Sequence, residues 1–174
     1  HSSVIGRVDL YSHLSSLGFD ILDKFLYTGR TEGLSDYDAV LWMAGVGYAF
    51  LYLPSRTDTA LNWRARPPEE MLRAYPVGGR HVDLIENISA LPQIAFIAIR
   101  NPAGAGDADP SAGEVSFFSS RGRLDPDRDL NDYPDAAVQI PRLMAASRAP
   151  DILVVAKDGY ETAWSWHRGR HGGY

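Results

Sequence analysis

The chain has 174 residues, a formal net charge of −5 and no cysteine. That length predicts one domain, and 45% hydrophobic residues are enough to bury a core without disulfides or structural metal. The missing cysteines exclude disulfides, zinc–thiolate clusters and thiol catalysis, and the acidic balance, with no Lys/Arg block longer than two, argues against a nucleic-acid partner. No apolar run approaches the ~20 residues that span a bilayer, and no signal-peptide pattern is visible, so the compartment stays open. The chain starts with His1 rather than Met, and its start is expected to be processed, truncated or left by cloning.

In chain order, residues 8–17 read as a short helix. Val8, Leu10, Tyr11, Leu14 and Leu17 recur at three and four, and Gly18 is its stop. Residues 19–27 are apolar and ambiguous between strand and helix; 28–36 form a polar connection. Residues 38–44 and 48–53 flank Gly45-Val46-Gly47, a spacing that predicts two strands in an antiparallel hairpin, ended by Pro54. Residues 57–68 read as a loop or meander. Pro67-Pro68-Glu69-Glu70 then opens a short helix to Ala74, because proline and acids suit a helix start.

A helix is predicted over 81–90, with Val82, Leu84, Ile85 and Ile88 on its buried side. Residues 94–99 are continuously apolar, which predicts a strand buried on both faces. Residues 101–113 read as a loop, 115–119 as a short strand, and 121–132 as a polar stretch of alternating charge. Residues 134–148 are mostly helical, with Pro141 expected to impose a turn before a helix that begins there. Residues 151–156 are the best buried-strand candidate, and 157–174 read as irregular. Helices alternating with apolar strands and a hairpin predict the α/β class, with mixed α+β as the variant: a mixed sheet with a β-hairpin and helices packed on it.

Few short patterns carry chemistry. Gly45-Val46-Gly47 and Gly104-Ala105-Gly106 read as turns, not as dinucleotide fingerprints, and neither a P-loop nor a nucleophile elbow occurs. Asn87-Ile88-Ser89 matches a glycosylation acceptor but falls in a predicted helix. Asp125, Asp127 and Asp129 could offer oxygen ligands to calcium; the run lacks the glycine and final glutamate of an EF-hand loop, and a solvated loop is the better reading. His13 and His81 are expected at surface or helix-end positions. His171 differs, because in His167-Arg168-Gly169-Arg170-His171-Gly172-Gly173 the glycines let the backbone turn sharply and bring an imidazole to a ligand such as zinc. A flexible tail is the alternative.

The stretch Pro150-Asp151-Ile152-Leu153-Val154-Val155-Ala156-Lys157-Asp158-Gly159-Tyr160, followed by His167 to Gly173, resembles the C-terminal part of the type I phosphodiesterase / nucleotide pyrophosphatase family of the alkaline phosphatase superfamily. In that family a core strand of this kind leads to a Thr/Ser-His-Gly motif, whose histidine binds one of two metal ions. Here that residue is His171; Arg170 departs from the usual Thr or Ser. Residues 2–18 resemble the region that follows the family's Ser-Asp-His-Gly motif, and Phe50-Leu51-Tyr52-Leu53-Pro54 resembles one of its aromatic strands. His1 is the histidine of that upstream motif or a residue just beyond it. The likeness spans nearly the whole chain, although only its last part carries a specific motif.

The resemblance implies that residues 1–174 are the C-terminal segment of a larger alkaline-phosphatase-like domain. It implies a divalent metal cofactor, zinc by the family's habit, with His171 and His1 as ligands here. The nucleophile and most other ligands would lie in the missing upstream part of the same protein, so the chain alone is expected to be inactive. The parent substrate would be a small-molecule phosphoester, the parent could be exported or membrane-anchored, and a cut domain could self-associate. A non-catalytic binding or interaction module is the alternative, resting on the tail aromatics Trp164, Trp166 and Tyr174. A stand-alone enzyme of another class is the third.

Overall fold

Every residue of Ile152–Ala156 is buried, and this strand lies at the centre of a seven-stranded sheet. In the computed structural model, described for residues 4–23, 33–43, 47–57, 60–101, 113–133 and 135–162, the chain runs through β1 (Gly6–Arg7), α1 (Leu10–Ser16), β2 (Ile21–Asp23), a 3-10 turn (Leu34–Asp36), β3 (Ala39–Met43) and β4 (Tyr48–Tyr52). It continues through β5 (Ser55–Thr57), β6 (Ala60–Asn62), α2 (Glu69–Arg73), β7 (Tyr75–Val77), β8 (Arg80–Val82) and α3 (Leu84–Ser89). Then follow β9 (Ile94–Arg100), β10 (Val115–Ser119), β11 (Gly122–Leu124), α4 (Pro126–Asp129), α5 (Ala136–Met144), β12 (Ile152–Ala156) and β13 (Tyr160–Glu161).

The main sheet has the order β11-β10-β9-β12-β4-β3-β2. Only β2 and β3 pair in parallel; every other neighbour is antiparallel. The fold is therefore mixed α/β, a mixed sheet with helices packed on it. The expected hairpin is β3–β4, with Val40 opposite Tyr52 and Met43 opposite Ala49. Of the ambiguous stretch 19–27, Ile21–Asp23 is β2, which pairs beside β3 as an edge strand, and 24–27 lie outside the described residues.

Alternate residues on the strands feed two cores. Leu41, Leu51, Ile97, Ile152 and Val154 pack with Leu10, Leu14, Leu72, Leu84 and Ile88 from α1, α2 and α3. Phe96, Ala98, Phe117, Leu153 and Val155 pack on the other side with Ile140 and Met144 of α5. The period of two in β12 thus serves both layers, which is why its sequence is apolar throughout. Arg100, 2% exposed, ends β9 by donating from Nη1 to the carbonyl of Met144 at 2.6 Å. A guanidinium satisfies a carbonyl that the end of α5 leaves open.

Several boundaries differ from expectation. The first helix starts at Leu10, since the Asp9 carboxylate accepts from the Ser12 N–H and caps it. The helix predicted over 81–90 begins only at Leu84. Asp83 is its cap, accepting from Glu86 N–H at 2.8 Å, while His81 and Val82 belong to the hairpin β7–β8. Within the stretch expected as a loop or meander, Ala60–Asn62 (β6) pairs antiparallel with β5. Pro141 does not start a helix; it sits inside α5. Burial of Ile140 and Met144 against the sheet outweighs the helix hydrogen bond that proline cannot donate.

Candidate functional site

β1 and β13, near the two ends of the described chain, pair with each other. They form a parallel ladder apart from the main sheet, with Gly6 opposite Tyr160 and Arg7 opposite Glu161. The Ile5 and Gly6 N–H groups both donate to the Gly159 carbonyl, at 2.6 and 3.3 Å, and the Val8 N–H donates to the Glu161 carbonyl at 2.8 Å. Gly159 holds φ +82°, a conformation that glycine adopts without penalty. Glu161 is buried with its carboxylate 3.9 Å from Arg7 Nε. The fully buried Thr162 donates from Oγ1 to the Tyr48 carbonyl at 2.6 Å, which ties the ladder to β4.

The two histidines expected to bind metal, His171 and His1, lie outside the described residues, as do Trp164, Trp166 and Tyr174. Among the described residues, no three His, Asp or Glu side chains converge to hold a metal ion. The described residues alone therefore do not fit the implied metal. His13 lies on α1 and is half-buried, with Nε2 3.2 Å from the Asn87 carbonyl, so it bridges α1 to α3. His81 is exposed on β8. Asn87 is itself engaged, donating from Nδ2 to the Asp83 carbonyl inside α3.

The acidic run Asp125, Asp127 and Asp129 is occupied with its own backbone. Asp125 caps α4 by accepting from the Asp127 N–H, and Asp129 accepts from the Asp125 N–H at 2.9 Å. Arg128 beside Asp129 holds that carboxyl below its ordinary range. The stretch expected as a solvated loop is a short capped helix at the surface.

A buried acid was not singled out as a site residue from the sequence. Asp151 is 9% exposed, and its Oδ2 accepts from the Leu53 N–H at 2.7 Å. Arg66 Nη1 lies 3.0 Å from the Pro150 carbonyl and 3.5 Å from Asp151 Oδ1. Burial pushes the Asp151 carboxyl up to about 6, against the opposing pull of the Leu53 N–H and Arg66. Its signal in the sequence was a single charge set directly before four aliphatic strand residues.

Beside Asp151 lies a cavity of about 600 Å³. Its floor is the sheet face that carries Val40, Trp42 and Tyr52, and its walls are the turn from Trp63 to Arg66 and the turn after α5 from Ser147 to Ala149. Tyr52 closes one side by donating to the Arg148 carbonyl at 3.3 Å. Burial, with Asp151 nearby, raises the Tyr52 hydroxyl above its ordinary value.

No family model, no curated protein and no solved structure matches this chain. The functional reading therefore rests on residues and geometry.

Proposed function

We propose that this chain is the C-terminal segment of a metal-dependent phosphoester hydrolase of the type I phosphodiesterase / nucleotide pyrophosphatase kind. Its part is to complete the domain, shape the substrate pocket and supply His171, with His1, as ligands to a divalent metal such as zinc. The nucleophile and the remaining ligands come from the preceding polypeptide.

The observation that carries this reading is the β1–β13 pair. Parallel strands usually lie within larger sheets covered on both faces, and two strands alone are marginal in water. Here a ladder of only two residue pairs stands apart, with Ile5 72% exposed beside it. A parallel sheet contributed by preceding chain would cover that edge. In sequence, the same ladder lies directly before the segment that carries the resemblance's histidine motif.

The test uses the native polypeptide, recovered with an antibody against this chain. Its intact mass, zinc content and hydrolysis of bis(p-nitrophenyl) phosphate are measured. The expected result is a mass well above 19.2 kDa, bound zinc and turnover. His171→Ala should then reduce turnover by at least the roughly 10–100-fold that loss of a mere outer-shell partner costs. A native mass of 19.2 kDa without zinc or turnover overturns the proposal.

A further inference from the structure

We propose that the cavity over β3 and β4 is a binding site for a planar aromatic carboxylate. This inference is independent of the hydrolase reading and concerns a different part of the molecule.

The sheet explains why the cavity exists. On β3 and β4, Leu41 and Leu51 face the core under α1–α3, so Val40, Trp42 and Tyr52 face the opposite side. There α5 covers Phe96, Leu153 and Val155 but leaves these three only half-buried. The result is an aromatic floor with Trp63 on the wall, in a volume within the ~300–1,000 Å³ usual for small-molecule sites.

Charge selects the ligand. Arg64, Arg66 and Arg148 all line the cavity, against one lining carboxylate, Asp151. Asp151 is already engaged by the Leu53 N–H and Arg66, whereas Arg64 and Arg148 are exposed and have no carboxylate within ion-pair distance among the described residues. In a chain of net charge −5 this is a local surplus of cations. Guanidinium groups take carboxylates through paired, planar hydrogen bonds and also stack on aromatic rings. A flat ring with a carboxylate matches both the floor and the rim.

The experiment titrates the full chain with 2-naphthoate and with neutral 2-naphthalenemethanol, by calorimetry and by the indole N–H resonances. The Trp63 resonance is assigned with Trp63→Phe. Naphthoate should bind about tenfold or more tightly than the alcohol, the advantage expected of a charge-assisted hydrogen bond, and should shift the Trp63 resonance. Arg64→Gln with Arg148→Gln, both at exposed positions, should remove that advantage, so that naphthoate binds this variant no more tightly than the alcohol does. Equal affinity for the two probes overturns the proposal, as does no binding at millimolar naphthoate or an advantage that survives loss of both arginines. A concentration-dependent dimer in sedimentation that Trp42→Ala dissolves, without naphthoate binding, also overturns it and assigns the face to a second copy.

Discussion

Gly159 and Ile5 approach so closely that a Cβ on the glycine would fall 2.6 Å from Ile5 Cδ1. The Gly159 carbonyl meanwhile accepts the Ile5 N–H at 2.6 Å. Two costs of Gly159→Ala can be separated. The left-handed backbone at φ +82° costs a side-chain-bearing residue roughly 1–2 kcal/mol. The collision also reaches Ile5 Cγ1, at 2.7 Å, so relief needs a new χ1 rotamer of a side chain that is 72% exposed and has room to take one. Gly159→Ala should therefore lose about 1–2 kcal/mol in urea denaturation, and Ile5→Ala should leave that loss nearly unchanged. A loss that disappears with Ile5→Ala would show the collision, not the backbone, to dominate.

Asp151 should make stability fall as pH rises. Its carboxyl holds a proton up to about 6 when folded, against an ordinary 3.8 in the unfolded chain. Between those values the folded state binds more protons, so the contribution is full below the lower one and is lost as pH rises through the upper one. The two-unit gap corresponds to roughly 3 kcal/mol at most. Asp151→Asn keeps an acceptor for the Leu53 N–H and should flatten that fall relative to the parent in denaturation series from pH 4 to 7. Parallel profiles for the two proteins would refute the assignment.

Pro141 sits inside α5 at a cost. Proline in a helix interior is about 3 kcal/mol worse than alanine, offset by roughly 0.4–1 kcal/mol from stiffening the unfolded chain. Pro141→Ala should raise stability by about 2 kcal/mol, seen as a higher denaturation midpoint at constant slope. Destabilisation instead would mean that the half-buried proline ring packs better than a helix bond holds.

Arg100 is the charge on which α5 closes. Arg100→Met keeps apolar bulk but leaves the Met144 carbonyl without the Nη1 donor. A buried acceptor so abandoned costs about 1–3 kcal/mol. Amide exchange in the last turn of α5 should accelerate more than in β9, whose ladder to β12 is intact.

The strands were the legible part of this chain. Residues 94–99, 115–119 and 151–156 are short, largely apolar runs of strand length, and they became β9, β10 and β12 almost unshifted. Helix starts were less legible. Asp9 and Asp83 each sit inside an apolar pattern that continues on both sides, so the pattern alone overran the helix start by two residues in α1 and three in α3. Pro141 was misread for the opposite reason: a strong local breaker was overruled by tertiary burial of its neighbours. The expected histidine motif is contiguous in sequence and lies outside the described residues. The Arg66–Asp151 contact was not legible, since its partners come from separate parts of the chain.

By itself, the sequence determined what depends on neighbours along the chain: which runs are apolar on both faces, and which two runs pair as the antiparallel strands β3 and β4. Only the tertiary structure decided that β12 is central, that β1 closes against β13, and that an aromatic sheet face is left half-covered beside three arginines. Strand order and cavities arise from contacts between distant segments. Periodicity in one segment reports how its faces differ, but not what lies against them.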